Sequence, residues 1–258
     1  MKAQKYIGIT GFMKSSEISE LRTSVFAQGK DWRNDKWVLM CGVLVSSSQV
    51  VGGELHRPTR YPPLEDLHKI FELRCENQLN FVHYNTRESS LYDELMRIMQ
   101  YGHNRIDGFQ LNMTWPSTFA IERFRKAYPD QKIVLQINNG CLESVRNDTR
   151  TLIEHLYHYD NLVDYALFDL SGGRGKELNP AKLLPYIEAV QNWNGSRWGI
   201  VVAGGLKSDN LDILKPILAI CPDLSIDAEG QLRTKNEDEL NIAESHQYLQ
   251  NASKLLGV

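Results

Sequence analysis

Eight short runs rich in β-branched and aromatic residues, each followed by a stretch whose apolar residues recur at helical spacing, constrain this chain more than any other feature. The runs fall at Tyr6–Thr10, Trp37–Val45, Asn80–Tyr84, Gly108–Asn112, Ile133–Asn138, Tyr165–Leu170, Trp198–Ala203 and Leu224–Ala228. Helices are expected at about 16–27, 64–75, 90–101, 117–127, 142–158, 181–192, 208–220 and 237–255, several opened by Ser, Asn or Pro. Repeated βα units imply a parallel sheet, and the fifth to seventh runs are almost continuously apolar, as strands covered on both faces must be. A count of eight matches a closed (β/α)8 TIM barrel of class α/β. The rival, an open doubly wound sheet, lacks its Gly-x-Gly-x-x-Gly turn after the first strand.

The 258 residues suit a single barrel domain spanning 1–258, because such barrels commonly run to about 250 residues. A hydrophobic fraction of 42% and a charged fraction of 24% allow a sizeable core. The net charge of -3, with no block of like charge, argues against a nucleic-acid partner. No run of 18 apolar residues suggests a membrane partner, and the first ten residues lack the apolar core of a leader. Cys41, Cys75, Cys141 and Cys221 lie far apart without metal-ligand spacing, as expected of reduced thiols. The expectation is a cytoplasmic protein, monomer or homodimer, with no cofactor and no metal.

In this fold the chemistry gathers at the carboxyl ends of the strands. The sixth strand ends in Phe168-Asp169-Leu170-Ser171-Gly172-Gly173-Arg174-Gly175-Lys176, a glycine-rich loop whose backbone N–H groups can approach an anion beside two cations. The seventh ends in Ala203-Gly204-Gly205-Leu206-Lys207-Ser208-Asp209-Asn210, with two glycines ahead of a helix. The eighth ends in Asp227-Ala228-Glu229-Gly230. Together they nominate Gly172, Gly173, Arg174, Gly175, Gly204, Gly205 and Gly230 as a phosphate cradle and a small phosphorylated metabolite as partner. The bland alternative is that these glycines only make tight turns. Between the second strand and its helix, Ser46–Pro63 carries Gly52-Gly53 and three prolines, the character of a lid or binding loop.

The ordered pair of loops, Asp169 through Lys176 and then Ala203 through Asn210, resembles the phosphoribosylanthranilate isomerase family. Pro58-Thr59-Arg60-Tyr61 is similar to that family's Ser-Pro-Arg-Tyr segment, and Gln110-Leu111 to the start of its Gln-Leu-His-Gly run. The resemblance implies an Amadori rearrangement of an aminoaldose phosphate to an aminoketose phosphate, as in tryptophan biosynthesis. It implies Asp169 as general acid, Arg60 facing a substrate carboxylate, and Gln110 against the substrate. It also puts Thr10, in Gly8-Ile9-Thr10-Gly11, where the family carries a cysteine as general base. A threonine hydroxyl without an activating partner is a far weaker base than a thiolate. Asn112-Met113 replaces His-Gly, and Ala228-Glu229-Gly230 stands in place of Ser-Gly-Val-Glu.

Candidates for the missing base are Asp227 or Glu229, His83 in Phe-Val-His-Tyr-Asn, and Cys141 after Asn138-Asn139-Gly140. Each also has a plainer reading. His83 suits a hydrogen-bonded barrel histidine, Cys141 the first turn of a helix, and Asp227 a contact to a substrate hydroxyl. The leading expectation is an aldose-ketose isomerase on a phosphorylated sugar derivative, diverged at its reacting end. A non-catalytic phosphate-ligand barrel is the alternative, and a phosphosugar epimerase or lyase a third. Asp169 rather than lysine ends the sixth strand, and no paired His/Asp ligand set spans the second, third and seventh strands; both weigh against the third.

Overall fold

The strands seen in the computed structural model are β1 Lys5–Thr10, β2 Trp37–Ser46, β3 Gln78–Asn85, β4 Gly108–Asn112, β5 Lys132–Ile137, β6 Tyr165–Asp169, β7 Gly199–Ala203 and β8 Ser225–Ala228. The structure describes residues 3–26, 37–53, 59–86, 90–171, 178–194 and 197–258. Each strand pairs in parallel with the next and β8 returns to β1, closing an eight-stranded barrel. Closure leaves the barrel's eight strands without an open edge.

Alternation along each strand divides the apolar residues between two cores. Ile7, Ile9, Val82, Ile133, Phe168 and Ile226 face the helices and belong to the large outer core. Tyr6, Val38, Met40, Phe81, Val134, Tyr165, Leu167 and Val201 form a separate cluster inside the barrel. There Tyr6, Phe81 and Tyr165 meet edge to face, with centroids 6.0, 5.4 and 6.3 Å apart. Burying one such side chain as large as Leu167, which is fully covered, stabilises the fold by about 1.5–3 kcal/mol relative to exposure.

The helices are α1 Ser15–Phe26, α2 Ser47–Val50, α3 Leu67–Ile70, α4 Leu91–Gly102, α5 Thr118–Ala127, α6 Asn139–Ser144, α7 Thr149–Leu156, α8 Pro180–Asn194, α9 Lys215–Ile220 and α10 Ile242–Leu256. Four expected helices differ from this, the one expected over 237–255 beginning only at Ile242, where Asn241 Oδ1 accepts from the Glu244 N–H at 3.1 Å. The helix expected over 142–158 breaks at Arg146 and Asn147, both left-handed at φ 56° and 55°, and restarts where Asp148 accepts a hydrogen bond from the Thr151 N–H. The one expected over 208–220 begins as a 3-10 turn, Leu211–Leu214, because Pro216 has no N–H for the Asp212 carbonyl. The one expected over 64–75 stops at Ile70, beyond which the Gln78 side chain satisfies the Leu73 carbonyl. The long segment after β2 opens as α2 and is tied back by Gln49 Nε2 donating to the Pro62 carbonyl at 2.7 Å. No helix among the described residues is long and apolar enough to cross a membrane.

Candidate active site

Above the apolar interior the inward-facing positions turn polar. Thr10, His83, Gln110, Gln136, Asp169 and Asp227 lie at or within two residues of the carboxyl ends of β1, β3, β4, β5, β6 and β8, and all but Asp169 are under a tenth exposed. Two cavities open onto this layer. The wider, of about 770 Å³, is bounded by Arg60, Tyr61, His83, Asn85, Asn112, Gln136, Asn138, Asp169 and Glu229, among others. A narrow cleft of about 50 Å³ lies between His83, Gln110, Asp169, Gly204, Gly205, Asp227 and Gly230. His83, Asp169 and Glu229 border both.

Asp169 is held from three directions. Its Oδ1 accepts from the Ser171 N–H at 2.8 Å and the Ser171 hydroxyl at 2.6 Å, and its Oδ2 from Gln136 Nε2 at 3.3 Å. Gln136 in turn accepts from Gln110 Nε2 at 3.1 Å, so a row of side-chain bonds runs across β4, β5 and β6 to the carboxylate. Gly204 on the adjacent strand end has φ 112°, and a Cβ there would sit 3.0 Å from Asp169 Oδ1. Only glycine satisfies both the backbone and this approach. Gly205 follows at φ 64°, and both glycines border the narrow cleft. Gly172, Gly173, Arg174 and Gly175 lie outside the described residues.

Thr10 and Asp227 form a pair across the β1–β8 seam, the hydroxyl lying 3.1 and 3.0 Å from the two carboxylate oxygens. The pair fits because its neighbours lack side chains: a Cβ on Gly42 would come within 2.3 Å of Thr10 Oγ1, and one on Gly8 within 2.8 Å of Asp227 Oδ1. Thr10 thus has the partner that its sequence context left open. Burial pushes the Asp227 carboxyl up to about 8; the Thr10 hydrogen bond opposes this, and Glu229 and Asp169 nearby reinforce it. Tyr6 and Tyr248, also fully buried, have hydroxyls with no hydrogen-bond partner among the described residues.

Arg60 reaches the wide cavity already engaged. Its Nε and Nη2 donate to Asp238 at 2.9 and 2.7 Å, and its Nη1 to Glu229 at 3.0 Å. Arg233 binds the same Asp238 and the Thr59 carbonyl, so the segments after β2 and β8 are clamped together. Burial raises the Glu229 carboxyl against the lowering by Arg60 and Arg233.

His83 is buried with neither ring nitrogen hydrogen-bonded among the described residues, and burial lowers its pKa to about 4, so it is neutral at pH 7. The expectation of a hydrogen-bonded barrel histidine is therefore not met. Gln110 Oε1 is likewise without a partner. Cys141 sits in the first turn of α6, where Asn138 caps its N–H at 3.0 Å, and burial raises its thiol. That suits a structural cysteine better than a nucleophile. Among the described residues no cluster of His, Cys, Asp and Glu is arranged to hold a metal.

The cavities thus bring together Arg60, His83, Gln110, Asp169, Gly204, Gly205, Asp227 and Gly230, with Thr10 one hydrogen bond behind. Sequence reasoning missed Gln136, Asn85, Arg233 and Asp238. Gln136 was findable, being a lone polar residue in the apolar run Ile133–Ile137. The Arg233–Asp238 contact had no signal, because it depends on a left-handed Asp238 at φ 54°.

No protein-family model matches the chain, and no curated protein matches it in sequence. Among solved structures, a phosphoribosyl anthranilate isomerase from Thermus thermophilus matches with a TM-score of 0.63. The two chains share a fold. The match covers 97% of this chain and 99% of that one at 12% sequence identity, a level that speaks for the barrel and its order of elements and not for the reaction.

Proposed function

We propose that this barrel binds a small phosphorylated sugar derivative over β6–β8 and interconverts its aldose and ketose forms by proton transfer. The observation that carries the reading is the placement of Asp169. It ends β6, is fixed by Ser171 and Gln136, borders both cavities, and lies against the Gly204-Gly205 turn. A carboxylic acid at that point can protonate a sugar ring oxygen while the glycine turn offers backbone N–H groups to the phosphate.

Opening the ring generates an electron-poor nitrogen–carbon double bond; removal of the neighbouring C–H proton gives an enaminol, which becomes the aminoketose as its first carbon takes up a proton and its 2-hydroxyl loses one. Asp227, paired with Thr10, is the group we assign to the C–H proton. With its carboxyl pushed up to about 8, its ionised form is the minority at pH 7 and grows as pH rises through 8; that form is a stronger base than an exposed aspartate, because burial disfavours its charge. Thr10 orients it and has no need to act as the base itself.

The test is turnover of phosphoribosylanthranilate and of other N-substituted aldosylamine phosphates by the wild type and by Asp169→Asn. Turnover of any of these that the substitution abolishes supports the reading. Tight binding of the whole panel with no turnover in the wild type would replace it with the non-catalytic alternative.

A further inference from the structure

Near the ends of two adjacent strands lie buried polar atoms that the protein does not itself satisfy. His83 on β3 and Gln110 on β4 are partners in register, 7% and 2% exposed. Neither ring nitrogen of His83 has a hydrogen-bond partner among the described residues, and neither has Oε1 of Gln110. Gln110 Nε2 is committed to Gln136 at 3.1 Å, so the open atom on this amide is its acceptor. Both residues border the narrow cleft, and His83 borders the wide cavity as well. Burying such atoms unpaired is costly unless a ligand answers them.

The open atoms specify what that ligand carries. A neutral imidazole offers one N–H donor and one bare-nitrogen acceptor, and burial keeps this one neutral. With Gln110 Oε1 the two side chains therefore present one donor and two acceptors. A carboxylate or phosphate oxygen carries no hydrogen and leaves both acceptors unanswered. A hydroxyl accepts from the imidazole N–H and donates to an acceptor beside it, so it suits the pair.

The order of strands indicates which hydroxyl this is. In the closed ring β4 stands opposite β8, with β3 beside it. Asp227 on β8 is the group assigned to the proton on C2 of the sugar, and it borders the same narrow cleft as His83 and Gln110. Hydrogen and hydroxyl diverge on that tetrahedral carbon, so a C2 that turns its hydrogen to β8 turns its hydroxyl away, towards β3 and β4.

Resting on the phosphosugar reading above, we infer that His83 and Gln110 hold the 2-hydroxyl of the sugar phosphate, and that the site takes 2-hydroxy sugar phosphates in preference to their 2-deoxy equivalents. A ligand without this hydroxyl leaves the buried atoms unpaired, which is the usual source of such discrimination. The contact also sets an acceptor against the hydroxyl whose proton must leave as the ketone forms.

Calorimetry on the full chain with ribose 5-phosphate and 2-deoxyribose 5-phosphate tests the inference, because the two sugars differ at this hydroxyl alone. Ribose 5-phosphate is expected to bind roughly tenfold more tightly or better. His83→Leu should reduce that preference to about threefold or less, and His83→Asn, which keeps a donor and an acceptor, should hold an intermediate ratio. A merely structural role for His83 would weaken both sugars alike and leave the ratio unmoved. Equal binding of the two by the wild type, or a preference that both substitutions leave intact, would overturn the inference and leave the phosphosugar reading standing. Failure of both sugars to bind at millimolar concentration would overturn that reading and the inference with it.

Discussion

The lower and upper halves of the barrel interior are built on opposite terms. Below, Tyr6, Phe81, Tyr165, Leu167 and Val201 pack ring against ring and chain against chain, and the Tyr165 hydroxyl finds the Gln4 carbonyl at 2.8 Å. Above, His83 and Gln110 bury polar atoms without partners among the described residues, and Asp227 is buried beside Glu229 and Asp169. The lower half rests on apolar packing, with the Tyr6 hydroxyl the polar atom in it that lacks a partner among the described residues. The upper half gives stability up, which is the pattern expected where a fold holds groups for a ligand rather than for itself.

This contrast can be broken first in the lower half. Leu167→Ala is expected to cost about 2–5 kcal/mol in denaturant unfolding, since it opens a hole in a fully buried cluster. A cost below about 1 kcal/mol would mean that the interior is loosely packed.

The upper half should respond to pH instead. Asp227 has a folded pKa of about 8 against an ordinary carboxylate value, so the folded state holds the extra proton between about pH 4 and 8. Its contribution to stability is therefore present at low pH and is lost as pH rises through 8. Asp227→Asn, which keeps a polar partner for Thr10, should match the wild type near pH 4 and exceed it by roughly 5 kcal/mol at pH 8. Parallel stability curves for the two proteins would show that the carboxyl is ionised throughout.

His83 should show the reverse slope in the same layer, and a smaller one. Its folded pKa of about 4 lies below the ordinary value, so the unfolded chain takes up the proton first as pH falls from about 6.5 to 4, and stability declines over that window. His83→Leu removes the slope, and its gain over the wild type should be about 2 kcal/mol larger at pH 4.5 than at pH 7. Urea titrations at the two pH values measure this. The exposed Lys126–Glu122 pair on α5, at 2.8 Å, belongs to neither half, and Lys126→Ala should leave the melting temperature unmoved.

Much of the lower half was legible in the sequence, because alternation along a strand and the length of each apolar run are local properties. All eight strands lie within two residues of their expected bounds, as at Gly108–Asn112, where the two coincide. Helix breaks were harder, since the left-handed turn at Arg146 and Asn147 competes with a helical pattern on both sides of it. Asp169 and Gly204 could be singled out because they close strands. The Thr10–Asp227 pair could not, because it joins residues 217 positions apart and depends on the absent side chains of Gly8 and Gly42. The engagement of Arg60 was hidden for the same reason: its partners come from the far end of the chain.

The central claim, that the polar layer serves chemistry while the packed layer holds the fold, is tested most directly by measuring unfolding free energy and aldose-ketose turnover on the same preparation of Asp169→Asn. The account predicts stability within about 1 kcal/mol of the wild type and turnover reduced roughly 10²–10⁴-fold. A variant that turns over normally but is destabilised by several kcal/mol would contradict it and make Asp169 a structural residue.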